Sequence, residues 1–388
     1  MIHEPQLTKL LRDLVAIDSV NPSLVPGARG EADAAKFVQR WLKKCGIEAV
    51  LQEASPDKRV RRPNVVARID GKSRAKTGAG LLLVAHIDTV GAGDMKDAFA
   101  PREKDGRLRG RGALDIKSGV AAVCASAAAL VREKAPLKKP LLIAIVVDEE
   151  CNSIGTQKLL TEYSAEAAVV LEPTDLQLCT AHKGYVWLEV ATHGRAAHGS
   201  RYEEGRDAIA YMGRVLRKIE KWDAELAARP PHPLLGRGSV HASLIRGGQE
   251  LSSYPAECTL QIERRTLPGE SDSRVQSEIQ GILDLLREKD PAFGASASLL
   301  SSRAAYEIAA SAPIARAAAD ALREVTGADT RTGMAFWTDT ALLNAAGIPG
   351  VVLGPRGRGL HGAEEYVELP SVVQCAEVLR RLALALCG

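Results

Sequence analysis

The chain has 388 residues, 46% hydrophobic and 26% charged, with a formal net charge of +3. That length accommodates two domains and a large buried core, and the composition is ordinary for a soluble globular protein. The small positive excess comes with no dense Lys/Arg block, which excludes a nucleic-acid footprint. Seven cysteines without a close pair argue against a disulfide scaffold and a thiolate zinc site, and for a reducing compartment. The N-terminus shows helical spacing instead of a basic start and a continuous apolar run, so no signal peptide is read. The longest apolar stretch, residues 119–131, is Ala-rich and too short to span a bilayer. The expectation is a cytoplasmic protein with no membrane or nucleic-acid partner.

In chain order, Leu7, Leu10, Leu11, Leu14 and Val15 recur at helical spacing. Residues 31–45 form a helix with Phe37, Val38, Trp41, Leu42 and Cys45 on one face, and Gly46 can stop it. Residues 118–132 are a second helix. Apolar strands at 81–85, 141–147 and 167–171 lie between helical segments, an alternation that predicts a largely parallel sheet covered on both faces. Near Lys183 the pattern changes. A strand at 185–190 is followed by a helix at 207–222, strands at 239–245 and 257–265, a helix at 271–289 and an apolar run at 296–300. That β-α-β-β-α-β order is the ferredoxin-like split. Beyond about residue 305 helices are expected at 313–326, 338–346 and 371–386. The fold class is α/β: a largely parallel sheet domain, residues 1–182 and 305–388, carrying an inserted ferredoxin-like α+β domain, residues 183–304.

Five metal-type ligands punctuate this pattern: His86, Asp115, Glu150, Glu172 and His361. Most follow an apolar strand, where an open α/β sheet presents its active site. Two imidazoles and three carboxylates suit a pair of divalent ions, each with a position open to water. Asp115, in the glycine-bracketed loop Gly110-Arg111-Gly112-Ala113-Leu114-Asp115, is the natural bridge. His86 and Glu172 would complete one site, and Glu150 and His361 the other. Asp88, two residues from His86 on an extended chain, shares its face and can accept the second imidazole N–H. Glu149 and Glu150 are neighbours whose side chains diverge, so one ligates and the other handles protons. Glu149 is assigned as general base, taking a proton from the attacking water and returning it to the leaving amine. Such mixed ligands suit zinc first, with cobalt or manganese as alternatives.

At these residues the chain resembles the co-catalytic zinc amidohydrolases that include acetylornithine deacetylase, succinyl-diaminopimelate desuccinylase, aminoacylase and glutamate carboxypeptidase. The matching stretches are LLLVAHIDTV (81–90), GRGALDIKSGVAA (110–122), VVDEECNSIGT (146–156), VVLEPTDL (169–176), HGRAAHGS (193–200) and GPRGRGLHGAEEYV (354–367). The resemblance implies two metal ions on the five ligands with Asp115 bridging, Glu149 as base, Asp88 as orienting acid, and an inserted lid often used for homodimerisation. It also brings forward His198, whose family equivalent reaches across the dimer to stabilise an oxyanion. Arg265 matches an arginine near the substrate carboxylate, which a guanidinium grips bidentately; a lid salt bridge is the alternative. His193 is read as structural. His182 and Lys183 fall at the presumed hinge, with Gly184 to absorb a dihedral change. One departure concerns residues 251–255, Leu-Ser-Ser-Tyr-Pro, where many relatives carry an asparagine.

The function expected is hydrolysis of the amide bond of an N-acyl amino acid, in the manner of acetylornithine deacetylase. The alternative is a dipeptidase or carboxypeptidase using the same site on a short peptide. A non-catalytic relic would have lost a ligand or the base, and every such position is filled. Gly78-Ala79-Gly80 precedes a strand instead of joining a strand to a helix, which speaks against a phosphate-binding loop. The chain has no G-x-S-x-G elbow for a serine nucleophile. Cys151 follows Glu150 directly and is read as a small buried side chain.

Overall fold

The apolar runs Leu81–His86 and Leu141–Val146 are buried at every residue. Strands apolar on both faces belong in the middle of a sheet covered from both sides. A computed structural model, describing residues 1–57, 59–72 and 78–388, places them there. The chain divides into two compact units. The first comprises Met1–Thr180, Ile308–Thr332 and Thr338–Gly388; the second comprises Ala181–Glu307 and Gly333–Trp337.

In the first unit Leu141–Val146, Leu81–His86, Ala168–Val170 and Gly350–Val352 lie side by side and parallel. The flanks run the other way. Pro63–Ile69 pairs antiparallel with Leu141–Val146, and Ala49–Glu53 pairs antiparallel with Pro63–Ile69. On the opposite side Cys179 pairs antiparallel with Val352. The sheet is thus parallel at its centre and antiparallel at its edges. Helix Lys117–Arg132, rich in alanine and almost wholly buried, packs against Leu369–Cys387 and Glu4–Val15. Its small side chains let these helices approach closely, and the resulting core joins Leu10, Leu14, Val120, Val123, Leu379 and Leu382. Because the central strands are parallel, all of their C-terminal ends open on one edge. His86 ends its strand, and Glu149, Glu150 and Glu172 lie a few residues beyond theirs.

In the second unit the strands run in the order Ser239–Gly247, Glu257–Thr266, Gly184–His193 and Gly294–Arg303, all antiparallel. Along Glu257–Thr266 buried and less buried residues alternate. One face packs Leu188, Val190, Leu260 and Ile262 against Met212, Val215, Ile279 and Leu283 of helices Ala208–Ala227 and Asp272–Lys289. Asp207 and Ser271 cap these helices, accepting from the Ala210 and Arg274 amides at 2.9 and 3.2 Å. This is the ferredoxin-like split with its helices on one face. Among the described residues no helix is long and apolar enough to cross a membrane.

Candidate metal centre

The strand-end edge of the first unit gathers two groups of ligand-type atoms. His86, Asp115 and Glu172 form one; Asp115, Glu150 and His361 form the other. Within each group the donor atoms lie inside 4.8 Å of one another. Asp115 belongs to both and turns one oxygen to each side. Oδ1 is 3.2 Å from His86 Nε2, and Oδ2 is 3.2 Å from His361 Nε2. Glu172 Oε1 stands 3.9 Å from His86 Nε2, and Glu150 Oε1 stands 3.2 Å from His361 Nε2. His86 is buried, whereas the His361 side chain is 53% exposed, so the second group opens to solvent.

These atoms fit a pair of cations. Glu150 Oε1 and Glu172 Oε1 are buried and, among the described residues, accept no hydrogen bond. His361 Nε2 is near Glu150 and Asp115 at once, and one ring nitrogen carries one proton. A buried carboxylate oxygen without a donor is costly, and a cation in each group would satisfy it.

Electrostatics agree with the geometry. Burial opposes the charged form of His86, but Asp115, Asp88 and Glu172 outweigh it and lift the imidazole well above its usual range. The carboxylates of Asp115 and then Glu150 beside its ring carry His361 up to about 10. Burial works against ionisation of Asp115, yet His361 and His86 hold it well below the usual carboxylate range. Burial, then the charge of Glu172, pushes Glu149 well above that range, as burial does for Glu172 itself. A dication near these carboxylates would pull the other way.

Asp88 sits beneath the site, fully buried. His86 Nδ1 lies 3.0 Å from its backbone carbonyl, while the carboxylate Oδ1 is 3.5 Å away. The carbonyl is the nearer acceptor for a ring N–H, the carboxylate stands beside it, and the carboxylate has further donors. It accepts the amides of Glu149 and Glu150, each at 3.2 Å, and Asn21 Nδ2 at 2.8 Å. The Asp88 side chain fixes the turn that presents the two glutamates.

The Asp115 loop has its own anchor. The buried Glu365 carboxylate accepts the amides of Gly112, Leu114 and Asp115 at 3.1, 2.9 and 3.1 Å. It also accepts Arg111 Nη1 at 2.7 Å, and Arg111 Nη2 donates to the His361 carbonyl at 3.2 Å. Glu365 thereby ties Asp115 to the loop bearing His361. No role was expected for it from sequence, although it falls within the 354–367 motif. The available signal was a Gly-x-Gly turn whose amides need an acceptor. Glu172 is held by close approach: a Cβ at Gly354 would meet the Glu172 carbonyl at 2.1 Å.

His198 and Arg265 belong to the second unit. His198 Nδ1 lies 2.8 Å from Ser200 Oγ, and the ring is exposed. Arg265 sits on the strand beside Glu263, which it contacts through Nε, and over the Tyr185 ring at 5.7 Å. His182 is buried, with Nδ1 3.0 Å from the Lys183 carbonyl, and burial holds it down at about 4. Cys151 Sγ accepts from Asn152 Nδ2 at 3.3 Å and is partly buried.

Comparison with known proteins decides the family. A model of peptidase family M20/M25/M40 matches residues 82–385. The chain belongs to this family. Acetylornithine deacetylase of Myxococcus xanthus is 32% identical over 395 residues, covering 99% of this chain and 98% of its own. Among solved structures, aminopeptidase PepT of Bacillus cereus matches with a TM-score of 0.80 at 16% identity, covering 100% of both chains. Bacillus subtilis YXEP, described as a dinuclear metal-binding M20 peptidase, matches with a TM-score of 0.75 at 16% identity, covering 99% of this chain and 98% of that one. An M20 member carrying these ligand groups is a metal-binding hydrolase of the deacetylase and peptidase kind.

Proposed function

We propose that the protein hydrolyses the amide bond of an N-acyl amino acid, in the manner of an acetylornithine deacetylase. The observation that carries the reading is the Asp115 carboxylate, shared between two imidazole–carboxylate groups within 4.8 Å. The full-length likeness to a protein named acetylornithine deacetylase supports the choice of substrate class. In this reading His86, Asp115 and Glu172 hold one divalent ion, and Asp115, Glu150 and His361 hold the other. Zinc is the first choice of metal, with cobalt or manganese able to replace it. When bound, the two ions would supply Lewis acidity for the carbonyl and lower the pKa of water.

The chain's own residues do the rest. Glu149 takes a proton from the attacking water and delivers it to the nitrogen of the leaving amine. Asp88 holds Glu149 and Glu150 in place through their amides. Glu365 holds Asp115. From the second unit, His198 would donate to the developing oxyanion and Arg265 would bind the substrate carboxylate. The second unit would act as lid and as the surface of a homodimer.

A peptidase reading, with a dipeptide or short peptide as substrate, is favoured by fold likeness to PepT and to human carnosine dipeptidase 1. The latter has a TM-score of 0.70 at 16% identity, covering 99% of this chain and 96% of that one. A panel of N-acetyl amino acids and dipeptides separates the two. The zinc- or cobalt-loaded protein should release amine from N-acetyl amino acids, stop with a chelator and recover with metal. Turnover of dipeptides alone moves the assignment to the peptidase reading, and turnover of neither refutes both.

A further inference from the structure

Arg62 lies in the basic run Arg59–Val60–Arg61–Arg62, which reads as solvated surface, yet its side chain is 5% exposed. All five of its N–H donors have acceptors. Nε donates to Glu31 Oε2 at 3.0 Å, and Nη2 contacts the other Glu31 oxygen. Nη2 also donates to Asn21 Oδ1 at 3.0 Å. Nη1 donates to Ser23 Oγ at 2.7 Å and lies 2.9 Å from Asp148 Oδ1. Glu31, Asn21 and Asp148 are themselves buried.

The contacts continue toward the site. Asn21, gripped at its oxygen by Arg62, uses its amide nitrogen on Asp88 Oδ2 at 2.8 Å and on Asp148 Oδ1 at 3.1 Å. Asp88 then accepts the Glu149 and Glu150 amides. Asp148 is the residue just before them and holds a left-handed φ of 66°. A non-glycine in that region is strained and persists only where its surroundings fix it. Here Arg62 and Asn21 hold Oδ1 of its side chain, while the Asn152 amide donates to Oδ2 at 3.2 Å. The guanidinium therefore reaches the Glu149–Glu150 turn along two routes, through Asn21–Asp88 and through Asp148, without touching either glutamate.

We propose that Arg62 is a positioning residue: its forked contacts to Asn21 and Asp148 set the orientation of the turn that presents Glu149 and Glu150. The proposal rests on the reading of Glu149 as base and Glu150 as metal ligand. A lysine keeps the charge but offers a point donor in place of the planar fork, and cannot reach Glu31, Asn21 and Asp148 together. Loss of an outer contact of this kind typically weakens metal affinity or activity by about 10–100-fold.

The test uses Arg62→Lys, Asn21→Ala and, as a control, Arg61→Lys, whose parent arginine is exposed and pairs with Glu53. Cobalt(II) is titrated into each chelator-treated protein by calorimetry and by visible absorption. kcat and KM are measured after reloading. Arg62→Lys and Asn21→Ala should each weaken one of two cobalt sites by about 10–100-fold, alter its absorption band, and lower kcat with KM little changed. Arg61→Lys should behave as wild type. Wild-type affinities, spectrum and kcat in Arg62→Lys, whatever its melting temperature, overturn the proposal, as does an equal loss in Arg61→Lys. Should Arg62→Lys not fold, Asn21→Ala decides on the same criteria. Failure of the wild-type protein to bind two cobalt ions would instead overturn the metal reading.

Discussion

At the scale of residues, groups proposed to meet substrate differ from groups that hold them in place. Glu149→Gln removes the proton acceptor but no proposed ligand. Turnover should fall by about 10²–10⁴-fold while the metal content measured by elemental analysis is unchanged. A variant losing both would make Glu149 a ligand instead. His361 gives the pH dependence. Its pKa of about 10 exceeds its ordinary 6.5, so its contribution to stability is complete below about 6.5 and fades as pH climbs to about 10. Lys117 acts oppositely: burial holds it near 7 against an ordinary 10.5, so its contribution grows between those values. Comparing chelator-treated wild type with His361→Asn isolates the first effect. The stability difference, from urea denaturation, should shrink between pH 6.5 and 10; a constant difference contradicts the ion pairing. The ligand-type residues were legible because each follows a strand or glycine-rich loop in an order that a parallel sheet can gather. Arg62 and Glu365 were not. One looks like surface charge and the other like half of a Glu-Glu pair, and only their burial distinguishes them.

At the scale of elements, the strands apolar throughout and the long amphipathic helices could be read directly. Residues 313–326, for instance, were expected as a helix and form Pro313–Thr326. The strands Ala49–Glu53, at the sheet edge, and Pro63–Ile69, next to it, escaped, since polar residues interrupt them and their pairing is antiparallel within a pattern read as βα alternation. The short helix Ile154–Leu160 escaped too, being under two full turns of apolar periodicity. The Asp88 side chain was expected to accept the His86 ring N–H, because alternation puts both on one face. Spacing alone could not show that the Asp88 carbonyl stands nearer. The strand-end loops also carry the strictest packing. At Gly354 an added methyl would meet the Glu172 backbone. Gly354→Ala should cost about 1–3 kcal/mol in urea denaturation and weaken cation binding at the His86–Asp115–Glu172 group. Wild-type stability and cobalt affinity would show that this approach positions nothing.

At the scale of the whole molecule, a parallel sheet concentrates strand ends on one edge, and an antiparallel split sheet forms a second unit with its own core. The β-α-β-β-α-β order was legible because strand-like runs and two long helices follow one another in that sequence between residues 185 and 300. Reversible metal dependence belongs to this scale, since the ligand-type residues from 86 to 361 are brought together by the fold. Cation binding should therefore raise the melting temperature of the wild-type protein and leave that of a His361→Asn, Glu172→Gln double variant unchanged. No shift on adding zinc would mean that the ligands do not act together.

Anomalous diffraction at the zinc edge, from crystals grown with zinc, locates the cations without reference to activity. Two peaks should flank the Asp115 carboxylate, one against His86 and Glu172 and the other against Glu150 and His361. Absence of density at both groups, or zinc bound only elsewhere, would contradict the metal reading.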